Sequence, residues 1–471
     1  MQFDAVQTWY QRPAARSWTC PPAPAEVTAF HSRLPGYAPT PLVELLALAA
    51  ELGVGRVFAK DESERLGLPA FKVLGASWAV CCLLCARAGV PPGGADLDRL
   101  RALALALAPQ PKLITATEGN HGRAVARMAR LLRLPADVYL PSSVPPAAAA
   151  AIAAEGANVI AIDAAYDEAI ARAAEAAAAD PGSELVQDTA WAGYRRITRW
   201  IVQGYSTLFR EIDAQLHAAA AEPATLVAVP VGVGSLAQAA VTHYRSRPGT
   251  PSPSPASVLG VEPTAAACVL ASLRAGEPIS VSTTATVMTG VNCGTPSSLA
   301  WPCLRAGMDA AVAVADEDAT LAVGDLARLG VRAGPSGAAA LAGARAALTG
   351  LAGVSYQRID AEDGVDLAPT LPLTSADHPG TPQPFLTGGM ARPSIRLTVA
   401  TSCAPSPTER SPWCRRASRR PTCADGDPYE RKPAQHRKRA DDRPDPLTVH
   451  APGLAQQVQP LQRPHGAGDR Q

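Results

Sequence analysis

The sequence predicts an α/β fold in which open parallel sheets carry helices on both faces, and three observations lead there. Short apolar, β-branched runs alternate with longer Ala-rich stretches over roughly the first 345 residues, the pattern of repeated strand–helix–strand units. Two of these runs pass straight into glycine-bearing turns that open helices. The composition, 47% hydrophobic and 18% charged in a chain of 471 residues, provides apolar surface for large buried cores and a length suited to two to four domains.

In chain order, strands are expected at Val57-Phe58-Ala59, Leu113 to Ala116, Asp137 to Leu140, Val159 to Ile162, Leu226 to Val231 and Val258 to Val261, each a compact apolar run with flanking turn or helix residues. Positions 145–180 are so rich in alanine that helix propensity is high while packing specificity is low. The run Pro251 to Pro255, PSPSP, reads as a surface loop. Asp316-Glu317-Asp318 reads as a helix start, where carboxylates complement the positive end of the helix dipole. From about residue 351 the character changes: residues 351–471 hold 17 of the 45 prolines, lack sustained apolar periodicity and carry a basic stretch from Arg410 to Arg439. Such a segment buries too little apolar surface to offset its ordering entropy, so it reads as largely disordered. A basic tail for nucleic acid is the other reading of Arg410 to Arg439.

Four segments carry residues suited to chemistry. In AKDESERLGLPAFKVLGASWAV, Ala59 to Val80, Lys72 stands between a Pro/Gly turn and an apolar helix beginning near Val73. A lysine withdrawn from water there suits an imine with an aldehyde cofactor, unless its stem packs on the helix while the amine reaches solvent. TATEGNHGR, Thr115 to Arg123, follows an apolar strand and opens a helix. Its unpaired N–H groups, amide and carboxylate either suit a small anionic ligand or form an ordinary capped turn. LVAVPVGVGSLAQAA, Leu226 to Ala240, runs from strand into Gly232-Val233-Gly234-Ser235-Leu236 and then helix, which reads as a phosphate cradle. It lacks the third glycine of a dinucleotide fingerprint and the lysine of a P-loop, so NAD and ATP are disfavoured. In VQDTAWAGYRRITRWIVQGYSTLFRE, Val186 to Glu211, a segment rich in aromatics, Asp188 ends a short apolar run and is either a helix cap or a group at the strand-end cleft of an open sheet.

Taken together these segments resemble the fold-type II pyridoxal-phosphate enzymes, which include threonine dehydratase, tryptophan synthase β and cysteine synthase. More narrowly, KDES-x-R-x-GL-x-AFK-x-LGAS, TATEGNHGR, QDTAW-x-GY, WI-x-QGY, VGVGSL and MTGVNCGTPS look like diaminopropionate ammonia-lyase, with the resemblance covering roughly residues 30 to 345. It implies two parallel-sheet lobes with pyridoxal 5'-phosphate in the cleft between them. Residues 1–90 and 196–350 would form the larger lobe, 91–195 a smaller inserted one, and 351–471 an atypical tail. It makes Lys72 the Schiff-base lysine, Asn120 the partner of the cofactor's phenolic oxygen, and Gly232, Val233, Gly234, Ser235 and Leu236 the phosphate holders. Glu118 and Asp188 become the proton-transfer groups, and Ser336, in Gly334-Pro335-Ser336-Gly337, is nominated near the ring, a plain helix-entry turn being its other reading.

Glu118 departs from the family, which usually has aspartate there, and moves the carboxylate outward by one methylene. The implied reaction takes 2,3-diaminopropionate to pyruvate and two ammonia. A serine or threonine dehydratase-like lyase of the same fold, or a cofactor-poor non-catalytic remnant, are the alternatives. The family's buried strand with an STEG-like turn is absent by sequence after residue 350, so loss of this closing strand, an exposed sheet edge and weakened cofactor retention are expected. The abrupt gain of Arg, Pro and Ser motivates the hypothesis of a frame change near codon 350. Translating the other frames tests it, and finding no such strand in either would sink it.

The expected partners are a small amino-acid substrate and a second copy of the chain in a homodimer. A net charge of +1 predicts no preference for nucleic acid or acidic membranes. No apolar run reaches the length of a membrane span, and MQFDAVQTWYQRPAARS lacks a signal-peptide core, so the cytoplasm is expected. The ten cysteines are scattered; Cys82 and Cys85 have CxxC spacing without a second pair, which favours free buried thiols over a metal site.

Overall fold

The computed structural model describes residues 8–246 and 256–348 and the backbone of 396–401. The strands, in chain order, are β1 (Trp9–Gln11), β2 (Leu42–Glu44), β3 (Arg56–Asp61), β4 (Lys112–Ala116), β5 (Ala136–Pro141), β6 (Asn158–Ile162), β7 (Ser183–Leu185), β8 (Leu226–Pro230), β9 (Ser257–Pro263), β10 (Ala310–Val314) and β11 (Arg396–Thr401). They form a seven-stranded sheet in the order β1-β10-β9-β8-β11-β3-β2 and a four-stranded sheet in the order β6-β5-β4-β7. The four-stranded sheet is parallel throughout, whereas the larger one is parallel at its centre with antiparallel β1 and β2 at its edges. All six expected strands form. The ones not expected are β11, β1, β2 and β7, the last three of three residues each, and β10, whose Ala-Ala-Val-Ala-Val carries a helix former that burial between β1 and β9 overrides.

The expected loss of the closing strand is corrected by β11. This strand lies in the middle of the large sheet, with Leu397 opposite Val57 on one side and Leu226 on the other. Parallel neighbours on both sides satisfy its backbone, so β3 and β8 do not present the open edge that the missing turn motif implied. The PSPSP loop and the tail from 402 onward, with its basic stretch, lie outside the described residues.

Packing around Lys72 begins with the turn that precedes it. Lys60, Glu62, Arg65 and Glu211 form a buried ionic network of two cations and two carboxylates. Lys60 Nζ donates to Thr40 O, Glu211 Oε2 and Gln215 Oε1, each at 2.7 Å. Arg65 donates to both oxygens of Glu62 and both of Glu211 at 2.6–2.8 Å. With every charge paired, the network escapes the penalty of an isolated buried ion and ties the turn after β3 to the Ser206–Ala218 helix. The KDES-x-R motif is therefore a scaffold for the chain entering Lys72.

The Lys72–Arg87 helix is buried along nearly its whole length and crosses the Arg196–Gly204 helix at a glycine contact. A Cβ on Gly75 would lie 2.9 Å from Ile201 O, and one on Gly204 only 2.4 Å from Leu74 O. The LGAS and QGY motifs meet here, and the absence of two side chains sets the helix spacing. His31 adds a clamp, with Nε2 2.9 Å from Leu74 O and Nδ1 2.7 Å from Thr207 Oγ1. Cys81, Cys82 and Cys85 are free thiols buried in the same helix.

Candidate active site

One cleft gathers every residue singled out from sequence: Lys72, Glu118, Asn120, Asp188, the Gly232 to Leu236 loop and Ser336. They arrive from five different strand ends or helix starts, Glu118 and Asn120 sharing one, which is where open parallel sheets leave crevices. Lys72 is the first residue of its helix, and its Nζ donates to Asp188 Oδ2 at 2.6 Å. The lysine side chain is 23% exposed and the aspartate 8%, so the amine faces the cleft without reaching bulk solvent freely. Burial works against the ammonium, but Asp188, with Tyr205 and Cys293 adding to it, holds the lysine pKa above its ordinary value. Burial likewise works against the Asp188 carboxylate, and His121 and Lys72 outweigh it, bringing the acid down to about 2. Asp188 is no helix cap, because the next helix starts at Arg196.

The QDTAW-x-GY block is the mount for that carboxylate. Gln187 accepts from Thr115 Oγ1 and Ala116 N through Oε1, at 3.1 and 3.0 Å, and donates from Nε2 to Tyr166 Oη at 2.9 Å. Tyr194 Oη bridges Gln187 N and Leu185 O, both at 2.8 Å, while Trp191 stacks on its ring at 4.5 Å. Thr198 Oγ1 donates to Thr189 O, and Ser297 Oγ accepts from Ala190 N. The aromatics that mark this segment in the sequence fix the backbone around residue 188.

The asparagine loop leaves β4 at Ala116 and enters the Asn120–Leu132 helix. Thr117 Oγ1 accepts from Gly119 N and Gly122 N at 3.0 and 3.1 Å, closing the turn. Glu118 lies in the cleft, where burial first, and the neighbouring charges of Asp167 and Asp188 next, push its pKa up to about 7. His121 and Tyr205 were not singled out as site residues from sequence, yet both are buried beside the Lys72–Asp188 pair. Their places inside TATEGNHGR and WI-x-QGY were the signal that could have pointed to them.

The glycine loop joins β8 to the Ser235–Arg245 helix. Gly234 has φ +97°, a left-handed conformation that favours glycine, and a Cβ there would also meet Leu304 at 2.7 Å. The first N–H groups of an 11-residue helix thus open onto the cleft beside a backbone free of side chains, a donor set that fits a phosphate. The Ser235 hydroxyl donates to Asp188 O at 2.8 Å, which couples the cradle to the Asp188 segment. Ser336, near the start of the Pro335–Leu348 helix, accepts from Gly290 N at 3.0 Å and lines the same cleft. With Lys72 facing the cleft opposite an anion cradle, the residues present fit pyridoxal phosphate. Among the described residues, no group of three or more His, Cys, Asp or Glu is placed to hold a metal ion, and no helix is long and apolar enough to cross a membrane.

The model of the family described as pyridoxal-phosphate dependent enzyme matches residues 33–355. Diaminopropionate ammonia-lyase from Salmonella typhimurium is 38% identical over 314 residues, which are 64% of this chain and 75% of that protein. The chain belongs to the diaminopropionate ammonia-lyase family of pyridoxal-phosphate dependent enzymes. Among solved structures it is similar to the Escherichia coli diaminopropionate ammonia lyase in complex with D-serine, with a TM-score of 0.64 and 32% identity, covering 71% of this chain and 85% of that one. A more distant relative, L-threonine ammonia-lyase from Geobacter sulfurreducens, is 30% identical over 212 residues, 45% of this chain and 48% of that protein. The fold is therefore fold-type II, and the cofactor of this pyridoxal-phosphate lyase family is pyridoxal 5'-phosphate.

Proposed function

We propose that this chain converts 2,3-diaminopropionate to pyruvate and two ammonia by α,β-elimination, with Lys72, Asp188 and Glu118 moving the protons. The observation that carries the reading is the meeting of the Lys72–Asp188 pair, Glu118 and the glycine cradle in one cleft. Pyridoxal phosphate, when bound, supplies an aldehyde for the substrate amine and a ring that withdraws electrons from the α-carbon. The phosphate would sit on the N–H groups of Gly232 to Leu236, and Asn120 and Ser336 would face the ring.

Lys72 reacts only as the neutral amine, and Asp188 Oδ2, 2.6 Å away, is the oxygen placed to hold the proton it gives up. Once that proton has passed to solvent, the same oxygen, mounted on a backbone fixed by Ser235 and Gln187, is positioned to take the α-proton. Glu118, with its pKa near 7, exists in both forms at neutral pH and is suited to keep the departing 3-amino group protonated as an ammonium. The charges of Asp167 and Asp188 act on Glu118, and an ammonium on the substrate's third carbon would relieve that repulsion. A serine or threonine hydroxyl brings no such charge, which favours the diamine over the threonine-type substrate. Homodimeric assembly and residence in the cytoplasm belong to the same proposal. Light scattering on the purified protein tests the former.

The experiment is a steady-state comparison of diaminopropionate, serine and threonine with the cofactor-loaded enzyme, following the 2-oxo acid released. Diaminopropionate should have the highest kcat/KM, and a preference for threonine would sink the reading.

A further inference from the structure

His121 is a buried ionisable side chain of the cleft that the reaction scheme above leaves without a task. It is the second residue of the Asn120–Leu132 helix and is 3% exposed. Its Nε2 lies 2.7 Å from Val186 O, and a carbonyl can only accept, so Nε2 carries the hydrogen. In the neutral ring Nδ1 then holds a lone pair. That atom is buried with no hydrogen-bond partner, and it lies 3.8 Å from Asp188 Oδ2, the oxygen that accepts from Lys72. Lys72 and Asp188 are the charged groups that act on the ring; burial lowers its pKa, Asp188 opposes this and Lys72 adds to it, with the net result below the usual histidine value.

A lone pair aimed at a carboxylate is repulsive, whereas the same lone pair aimed at a carboxylic acid is a hydrogen bond. Lys72, like a protonated His121, therefore favours ionised Asp188, whereas the neutral His121 ring favours protonated Asp188. While the ammonium stands at 2.6 Å, Lys72 wins; when its amine is engaged elsewhere, His121 sets the preference.

We infer that His121 is the positioning residue of Asp188, accepting at Nδ1 the hydrogen that Asp188 acquires and holding the carboxylic acid in one orientation until that proton moves on. This rests on Asp188 being the proton acceptor proposed above. In that step the substrate Cα–H bond breaks, its electron pair stays on the substrate, and the proton forms an O–H bond on Asp188. Rotation of the aspartate side chain closes the contact with Nδ1 from 3.8 Å to about 2.7 Å, with no net proton transfer to the ring.

Two measurements test it. Two-bond ¹H–¹⁵N correlation of ¹⁵N-histidine-labelled, cofactor-loaded protein, assigned by the signal missing in His121→Asn, should give an unprotonated Nδ1 and a protonated Nε2. His121→Gln places an amide N–H where Nε2 was, keeping the Val186 bond and removing the base. Its kcat should fall about tenfold, the scale of one lost hydrogen bond, and the acid limb of its kcat–pH profile should move about one unit lower. A protonated Nδ1, or His121→Gln with wild-type kcat and an unmoved acid limb, overturns the inference. If His121→Gln does not fold, the tautomer in the wild-type protein decides. A wild-type enzyme without turnover would sink the functional reading instead, and the tautomer would still decide the role of His121.

Discussion

Replacing Gly204 by alanine tests whether the crossing of two helices sets the position of the reactive lysine. The new Cβ would sit 2.4 Å from Leu74 O, 2.7 Å from Gly75 Cα and 2.9 Å from Leu74 C, all backbone atoms that no rotamer change can move aside. A relaxed carbon–oxygen contact is about 3.3 Å, so the Lys72–Arg87 and Arg196–Gly204 helices must part by on the order of 1 Å. Overpacking of this kind costs about 1–3 kcal/mol, which in a chain of this size lowers Tm by a few degrees. Lys72 lies in the same helical turn as Leu74, so the shift carries Nζ away from Asp188 Oδ2, and a misplacement of about 1 Å can cost 10²-fold in rate. The assay pairs thermal melting by circular dichroism with pyruvate release from diaminopropionate. Gly324→Ala is the control of opposite sign: a Cβ there meets only Arg328 Nη2 at 3.8 Å within the Asp316–Arg328 helix, so Tm should hold or rise. A Gly204→Ala protein with wild-type Tm and wild-type turnover would refute the argument.

Three further outcomes follow from the site. Lys72→Ala should fold but lose turnover and covalent attachment of the cofactor, read by borohydride reduction and intact mass; a reducible adduct in that variant means another amine is used. Asp188→Asn should keep the attachment and lose roughly 10²–10⁴ in kcat, the usual scale for a general acid–base group, and a wild-type rate would leave this residue with a structural role only. Glu118 has a folded pKa of about 7 against an ordinary value of 4.5, so the folded state binds more protons than the unfolded one between these values and stability falls as pH rises through that window. The contribution is on the order of 3 kcal/mol, so Glu118→Gln should gain on the wild type between pH 4.5 and pH 8 in urea denaturation, and a pH-independent difference would count against the buried, crowded carboxylate.

The division between what was legible in the sequence and what was not follows the range of the interactions. Alternation of apolar runs and helical stretches is local, so the six expected strands formed where they were placed, and residue types at strand-to-helix turns were enough to nominate Lys72, Glu118, Asn120, Asp188 and the Gly232 to Leu236 loop. The three-residue strands β1, β2 and β7 carry too little pattern to stand out, and β10 is written in alanines whose local preference loses to burial in the sheet. The closing strand was misjudged because its turn motif is missing, while its place is decided by the pairing of β11 with β3 and β8, far away in the chain.

By itself, then, the sequence determined the α/β fold class through periodicity and nominated a lysine and an anion cradle through residue type at a turn, while the resemblance of its motifs to a known family supplied the cofactor and the residue roles. Only the tertiary structure decided what those side chains do to one another: that Asp188 pairs with Lys72 instead of capping a helix, that Ser235 donates to the Asp188 segment, that His121 turns a lone pair toward the same carboxylate, and that KDES-x-R is a buried ionic scaffold. Charge, burial and hydrogen-bond partner are properties of a place in space, and residues 72, 121, 188 and 235 share that place only after the chain has folded.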